Sequence, residues 1–269
     1  MKNSLPVIAI RGAGDLATGV ALRLYRAGLR QIVMLETENP LAVRRKVVFS
    51  EAVYQGSTRV EEVKAVRVES YTDIDSVWEL DAIPVYCDPK AANLKKINPE
   101  VLIDAIIAKK NLGTTTDMAP LVLGLGPGFT AGVDVHKAIE TKRGHYLGRV
   151  IFSGTALPDT GIPGAIEGYT IERVYWAPQA GTFFTEYKIG DRISKGTPIG
   201  TIDGTPIPAS ISGIIRGLLR TATPVDKGTK LADIDPRATV SYCGEVSDKA
   251  LAIGGGVLEA INAHIFSKG

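Results

Sequence analysis

Gly12, Gly14 and Ala17 stand in the order G-x-G-x-x-A, directly after the apolar run Val7-Ile8-Ala9-Ile10 and Arg11. In a dinucleotide-binding turn the first glycine allows the sharp bend and the second lets backbone N–H groups approach a diphosphate. The small third residue lets helix pack on strand. A second apolar run, Ile32 to Leu35, ends in Glu36, where a ribose-binding acid is expected. Asp15 complicates this reading, because a carboxylate there favours a helix N-terminus but opposes a bound diphosphate. Either Arg11 offsets part of that repulsion, or Asp15 holds a metal ion bridging to phosphate.

Two further stretches carry chemistry. Thr114-Thr115-Thr116-Asp117 leads through Leu121-Val122-Leu123 into Gly124-Leu125-Gly126-Pro127-Gly128-Phe129-Thr130, a strand opening into a glycine-rich loop with a hydroxyl. Gly126, Gly128 and Thr130 resemble an anion-cradling nest, although Pro127 removes one N–H from it, and a tight structural turn explains them equally well. Glu140-Thr141-Lys142-Arg143-Gly144-His145 puts acid, guanidinium and imidazole within six residues. Arg143 and His145 can bind and polarise a ligand, and an imidazole is a side chain that can transfer a proton. No nucleophile is paired with His145, so no catalytic residue is assigned. The run Arg44-Arg45-Lys46 reads as a solvated face or an anion contact.

These residues need elements to hold them. Leu16, Val20 and Leu24, with Ala17 and Ala21, make one apolar helical face that Gly28 is placed to stop. Val60 to Val68 and Ile83 to Cys87 read as strands. Asn98-Pro99-Glu100 reads as a helix start with Leu102, Ala105 and Ile106 on its buried stripe, and Val133 to Ile139 as a strand. Strands interleaved with helices give an α/β, Rossmann-like N-terminal domain with a mostly parallel sheet. Ligand contacts would then gather beyond the strand carboxyl ends.

Composition narrows the classes. Of 269 residues, 45% are hydrophobic and 22% charged, as in ordinary globular domains. The 31 basic and 29 acidic side chains nearly cancel, which argues against nucleic-acid and membrane partners. Cys87 and Cys243 lie too far apart for a C-x-x-C pair, so neither a disulfide framework nor a zinc site is suggested. With no signal or membrane segment, a cytoplasmic location is expected.

The second half repeats itself. Ala177 to Gly181, Lys195-Gly196 and Ile199 to Asp203 recur as Ala209 to Gly213, Lys227-Gly228 and Leu231 to Asp235, offset by 32 residues. Two short all-β copies, neither able to bury its face alone, should pack together. The pattern resembles the barrel-sandwich hybrid of biotinyl and lipoyl carriers. The central hairpin, Asp203 to Pro208, has no lysine, so a swinging-arm role is not expected, and Lys195 and Lys227 read as turn residues. The domains expected are 1–170, 171–238 and a helical tail at 239–269 that packs on the first. Gly254-Gly255-Gly256 reads as a break in that tail, or as a close approach by backbone or ligand.

Taken together, Arg11 to Gly19, Arg44-Arg45 with Phe49 to Tyr54, Gly126 to Gly132, Glu140 to His145 and Gly161 to Gly164 resemble one bacterial family. It is the YqeB-type accessory proteins of selenium-dependent molybdenum hydroxylase systems, distantly similar to xanthine dehydrogenase accessory factors. That resemblance implies a maturation protein acting with a molybdenum hydroxylase and its maturation factors. Its ligand would be a nucleotide-containing molecule or molybdenum cofactor at the N-terminal crevice. An NAD(P)-dependent oxidoreductase and a non-catalytic scaffold are the alternatives, and a homo-oligomer stays open.

Overall fold

The computed structural model describes residues 5–267, which divide into two compact units. Unit 1 comprises residues up to Pro40, Val48–Asp159 and the stretch from Val246 onward, and unit 2 comprises Leu41–Val47 and Thr160–Glu245.

The strands of unit 1 are β1 (Ile8–Arg11), β2 (Ile32–Glu36), β3 (Ser57–Val60), β4 (Val63–Val68), β5 (Ile83–Cys87), β6 (Val101–Asp104), β7 (Leu121–Leu125), β8 (Thr130–Ala131), β9 (Lys137–Ile139), β10 (Val150–Ile151) and β11 (Gly154–Thr155). Nine of them form one sheet in the order β10-β9-β7-β6-β1-β2-β5-β4-β3, while β8 pairs with β11. The central strands run parallel, and β3 and β10 join the edges antiparallel. The helices are α1 (Asp15–Arg26), α2 (Glu51–Gln55), α3 (Ile74–Glu79), α4 (Leu94–Ile97) and α5 (Asp248–Phe266). Ala9, Val33, Leu102 and Val122, from four adjacent strands, share one buried cluster. Such runs, apolar on both faces, are what a covered sheet demands.

Local chemistry sets several boundaries. Gly28 has φ +91° and donates to Tyr25 O at 3.1 Å, while Leu29 N–H reaches Leu24 O at 3.1 Å. This paired closure satisfies the last carbonyls of α1. Ser247 caps α5 by accepting from Ala250 N–H at 3.2 Å. Among the described residues no helix is long and apolar enough to cross a membrane.

Unit 2 contains β12 (Val174–Trp176), β13 (Gly181–Phe184), β14 (Arg192–Ile193), β15 (Pro198–Ile202), β16 (Thr205–Pro208), β17 (Gly213–Leu218), β18 (Thr223–Val225) and β19 (Lys230–Asp235). They form two antiparallel sheets, β12-β19-β17-β14 and β16-β15-β13-β18. Phe183, Ile202, Ile214 and Leu231 are fully buried in the common core. The turn between β15 and β16 uses Asp203 (φ +46°) and Gly204 (φ +84°), the positive-φ pair a two-residue hairpin prefers. Lys195 and Lys227 lie exposed in turns beside Gly196 and Gly228.

Several expectations are corrected. The Rossmann-like domain joined to a biotinyl/lipoyl-like barrel-sandwich hybrid is replaced by a large mixed sheet of short strands and a unit of two four-stranded sheets. The helices α2, α3 and α4 span only four to six residues, and the β6–β7 connection holds a short turn at Thr116–Met118 instead of a crossover helix. Residues 101–104, read as helix, form the strand β6 between β1 and β7. Asn98 closes α4 in a left-handed conformation rather than opening a new helix. Strand pairing has overridden the Asn-Pro-Glu cap signal. The glycines at 254–256 do not break α5, which runs through them.

Candidate functional site

The turn between β1 and α1 is fixed from several sides. Gly12 has φ +96°, and a Cβ there would meet Ala105 O at 3.2 Å, so the fold itself requires glycine. Glu36 accepts Ala13 N–H at 2.8 Å and Thr37 N–H at 2.7 Å, tying the turn to the end of β2. Ala13 O accepts from Ser50 N–H at 2.9 Å and from Thr18 Oγ1 at 3.2 Å. Ala17 is buried where helix meets strand. Gly14 differs from Gly12. Its φ is −75° and ψ −169°, it is the N-cap of α1 without any side-chain cap, and a Cβ added to it would meet nothing within 4 Å.

Beneath the turn lies a buried polar network. Arg11 and Asp104 are register partners at the ends of β1 and β6, paired at 3.2 Å and almost fully buried. Thr114 Oγ1 donates to Asp104 Oδ2 at 2.5 Å, and Arg11 also hydrogen-bonds Thr114 Oγ1 and Pro89 O. Arg11 therefore locks two strand ends. Asn111 Oδ1 accepts Gly113 and Thr114 N–H at 2.9 and 2.7 Å, holding the loop after β6. Within that loop Ile107 and Lys109 take φ +59° and +61°. For a β-branched residue such a conformation is strained and points to a functional constraint.

Close backbone approach gathers the other loops. A Cβ on Gly128 (φ +110°) would sit 2.7 Å from Lys110 Cα, and one on Gly126 (φ +80°) 2.5 Å from Thr141 Oγ1. These glycines let the 107–110, 126–129 and 141 segments touch, which is a structural duty. Thr130 N–H is taken by Asp134 at 2.8 Å. Thr115 and Asp117 hydrogen-bond each other in the turn that contains Thr116, and no hydrogen bond links them to the Gly12–Gly14 turn among the described residues.

The tail completes this end of unit 1. Gly19 lies under Ala250, and a Cβ on Gly254 would meet Arg23 Cβ at 2.8 Å and Gly19 O at 3.1 Å. Since residues 19 and 23 match 250 and 254, α1 and α5 run parallel and their first turns lie at one end. Arg143 forms a two-pronged pair with Asp248, at 2.7 and 2.8 Å. Buried Glu140 accepts Lys142 N–H at 2.7 Å and Leu157 N–H at 2.8 Å, while Lys109 pairs with Asp159 at 2.6 Å. Exposed His145 stands edge-on to Tyr146, 5.1 Å between ring centroids.

Lys249, in the first turn of α5, was not among the residues singled out by sequence. Burial pushes its ammonium pKa down and Arg143 adds to that, against Asp15, Asp159 and Glu140. The available signal was a cation at the positive end of a helix dipole, a placement the helix itself disfavours. Among the described residues no three His, Cys, Asp or Glu side chains are grouped to hold a metal ion.

Comparison with known proteins follows from this geometry. No family model matches the chain. It is 48% identical over 265 residues to the uncharacterized protein YqeB of Escherichia coli K12, an alignment covering 97% of this chain and 49% of that protein. The chain is similar to YqeB along almost all of its length. It spans about half the length of the curated relative it matches. Solved structures that align include the product-bound ectoine utilization protein EutE (DoeB) of Ruegeria pomeroyi, 10% identical, covering 80% of this chain and 61% of that one, TM-score 0.23. An aspartoacylase family protein of Mesorhizobium loti is 11% identical over 86% and 85% of the two chains, TM-score 0.26. A succinylglutamate desuccinylase/aspartoacylase of Rhodobacter sphaeroides is 15% identical over 86% and 85%, TM-score 0.26.

The expected accessory role in a selenium-dependent molybdenum hydroxylase system is corrected by this set. The relative that matches is uncharacterized and no family model matches, so neither assigns the chain that role. The nucleotide or molybdenum-cofactor ligand attached to that role falls with it. TM-scores this low assign no reaction to the chain either.

Proposed function

We propose that unit 1 binds a small anionic molecule, a carboxylate or a phosphate, at the Gly12–Gly14 turn and the first turn of α1. The observation that carries this reading is Gly14. Its backbone is one any residue adopts, and the fold leaves the space of a side chain empty there. A glycine that no neighbour requires is explained by a ligand that must approach the backbone closely. The first-turn N–H groups of α1, whose N-cap Gly14 makes no side-chain cap bond, are the donors such an anion would use. Glu36 holds the turn in shape by accepting Ala13 N–H.

Amide NMR of the full chain titrated with orthophosphate and, separately, succinate tests the proposal. Saturable shifts at Gly14, Asp15, Leu16 and Ala17 are expected with at least one of the two. Shifts confined to unit 2, or none at these four amides with either anion, would overturn it.

A further inference from the structure

The two copies of the repeat in unit 2 share one backbone contact and then diverge. Gly196 N–H donates to Ala209 O at 2.7 Å, and Gly228 N–H donates to Ala177 O at 2.8 Å. After these alanines the first copy reads Pro178-Gln179-Ala180 and the second Ser210-Ile211-Ser212, so hydroxyls stand in one copy alone. Ser212 Oγ accepts Lys195 N–H at 2.9 Å, and this seam of lysine and serines lines a cavity of about 350 Å³. Glu167 and Tyr169 line the same cavity from another segment. Glu167 (φ +48°) and Gly168 (φ +83°) make a tight turn closed by Ile166 and Tyr169, whose backbones exchange hydrogen bonds at 2.9 and 3.0 Å. Arg173, paired with Asp233 at 2.6 Å, donates to Gly164 O at 3.0 Å and fastens that segment to the body of unit 2.

The lining groups sort into two kinds. Ser212 Oγ accepts from Lys195 and so keeps its proton to donate, while the Ser210 backbone N–H goes to Tyr175 Oη at 2.8 Å and leaves the hydroxyl over. Together with the Lys195 ammonium these hydroxyls suit a carboxylate. The Glu167 carboxylate and the Tyr169 ring suit an ammonium. Lys195 and Glu167 line one cavity, yet neither forms an ion pair with the other or with any other described residue. Buried Ile211, with Pro236, adds apolar wall. We propose that this cavity binds a free α-amino acid with an apolar side chain, its carboxylate on Lys195 and the serines and its ammonium on Glu167. The site lies wholly within unit 2 and does not rest on the anion reading of unit 1.

The test is amide NMR of the full chain titrated with L-leucine, and in parallel with isocaproate and isoamylamine, which keep the alkyl chain of leucine but only one of its charges. Leucine should give saturable shifts at Lys195, Ser210, Ile211 and Ser212, and should bind about fivefold more tightly than either analogue, the upper end for an exposed ion pair. Lys195→Gln and Glu167→Gln, both at exposed positions, should each remove about that factor. Glu167→Gln should also bring leucine down to the affinity of isocaproate. Lys227→Gln, the same change at the equivalent place in the other copy, should leave leucine binding as it was. Absence of saturable shifts at the four amides with leucine would overturn the proposal. So would equal binding of leucine and either analogue, or a loss with Lys227→Gln as large as with Lys195→Gln.

Discussion

Gly14 of unit 1 and Gly213 of unit 2 each stand at the start of an element, yet they answer different demands. A Cβ on Gly213 would collide with Asp235 O and lie 2.8 Å from Ile234 Cγ2. Its repeat partner Gly181 (φ +153°) likewise backs onto Asp203, whose Oδ1 accepts Thr182 N–H at 3.0 Å. In unit 2 the repeated glycines are therefore explained by the packing of the repeat itself. In unit 1, Gly12 is explained in the same way, but Gly14 and the strained Ile107 are not. Residues left over after packing is accounted for are where function is to be sought.

That contrast can be broken by substitution, and each unit has its own tryptophan, Trp78 in unit 1 and Trp176 in unit 2, to report on it. Gly213→Ala should cost unit 2 about 3 kcal/mol by overpacking against backbone, read as a lower urea midpoint of Trp176 fluorescence. A silent Gly213→Ala would mean that unit 2 tolerates what its packing forbids. Asp235→Asn should cost about 2 kcal/mol at neutral pH, the scale of a charged hydrogen bond. Burial raises the Asp235 carboxyl pKa, but hydrogen bonds from the Arg237 side chain and backbone, with Arg216 nearby, outweigh it and leave the pKa lowered. A depressed folded pKa stabilises above the unfolded value, about 3.9, and that stability is lost as pH falls through the folded one. The difference between Asp235→Asn and the parent chain should accordingly shrink in acid.

Smaller effects distinguish neighbouring glycines in α5. Gly255 has nothing within 4 Å of its missing Cβ, so Gly255→Ala should stabilise unit 1 by about 1 kcal/mol. Gly254→Ala would press on Arg23 and Gly19 O and should destabilise it. Equal behaviour of the two, measured by urea unfolding of the Trp78 signal, would contradict the close crossing of α1 and α5.

Much of this architecture was legible in local chemistry. The β1–α1–β2 opening followed from the apolar run, the glycine turn and the Gly28 stop, and the 32-residue repeat exposed the paired copies of unit 2. Long-range partners were not legible. The β6 strand was hidden because Asn98-Pro99-Glu100 mimics a helix start, and only pairing with β1 and β7 reveals it. Arg44 and Arg45, read as solvated or anion-binding, instead donate to the carbonyls of Tyr242, Glu245 and Leu218. Within the candidate site the glycine turn and Arg143 were found from sequence. Lys249 was missed because it enters from α5, more than a hundred residues after Arg143, through a helix contact no motif encodes.

The most direct test of the account is Gly14→Ala, with anion affinity and thermal stability measured on the same protein. Alanine gains from a less flexible unfolded chain and loses as an N-cap, so stability should stay within about 0.5 kcal/mol of the parent. Affinity for the anion that shifts the Gly14 amide should fall by about tenfold, or 1.4 kcal/mol, because the new methyl occupies the ligand's approach. Unchanged affinity with unchanged stability would contradict the claim that Gly14 is kept for a ligand.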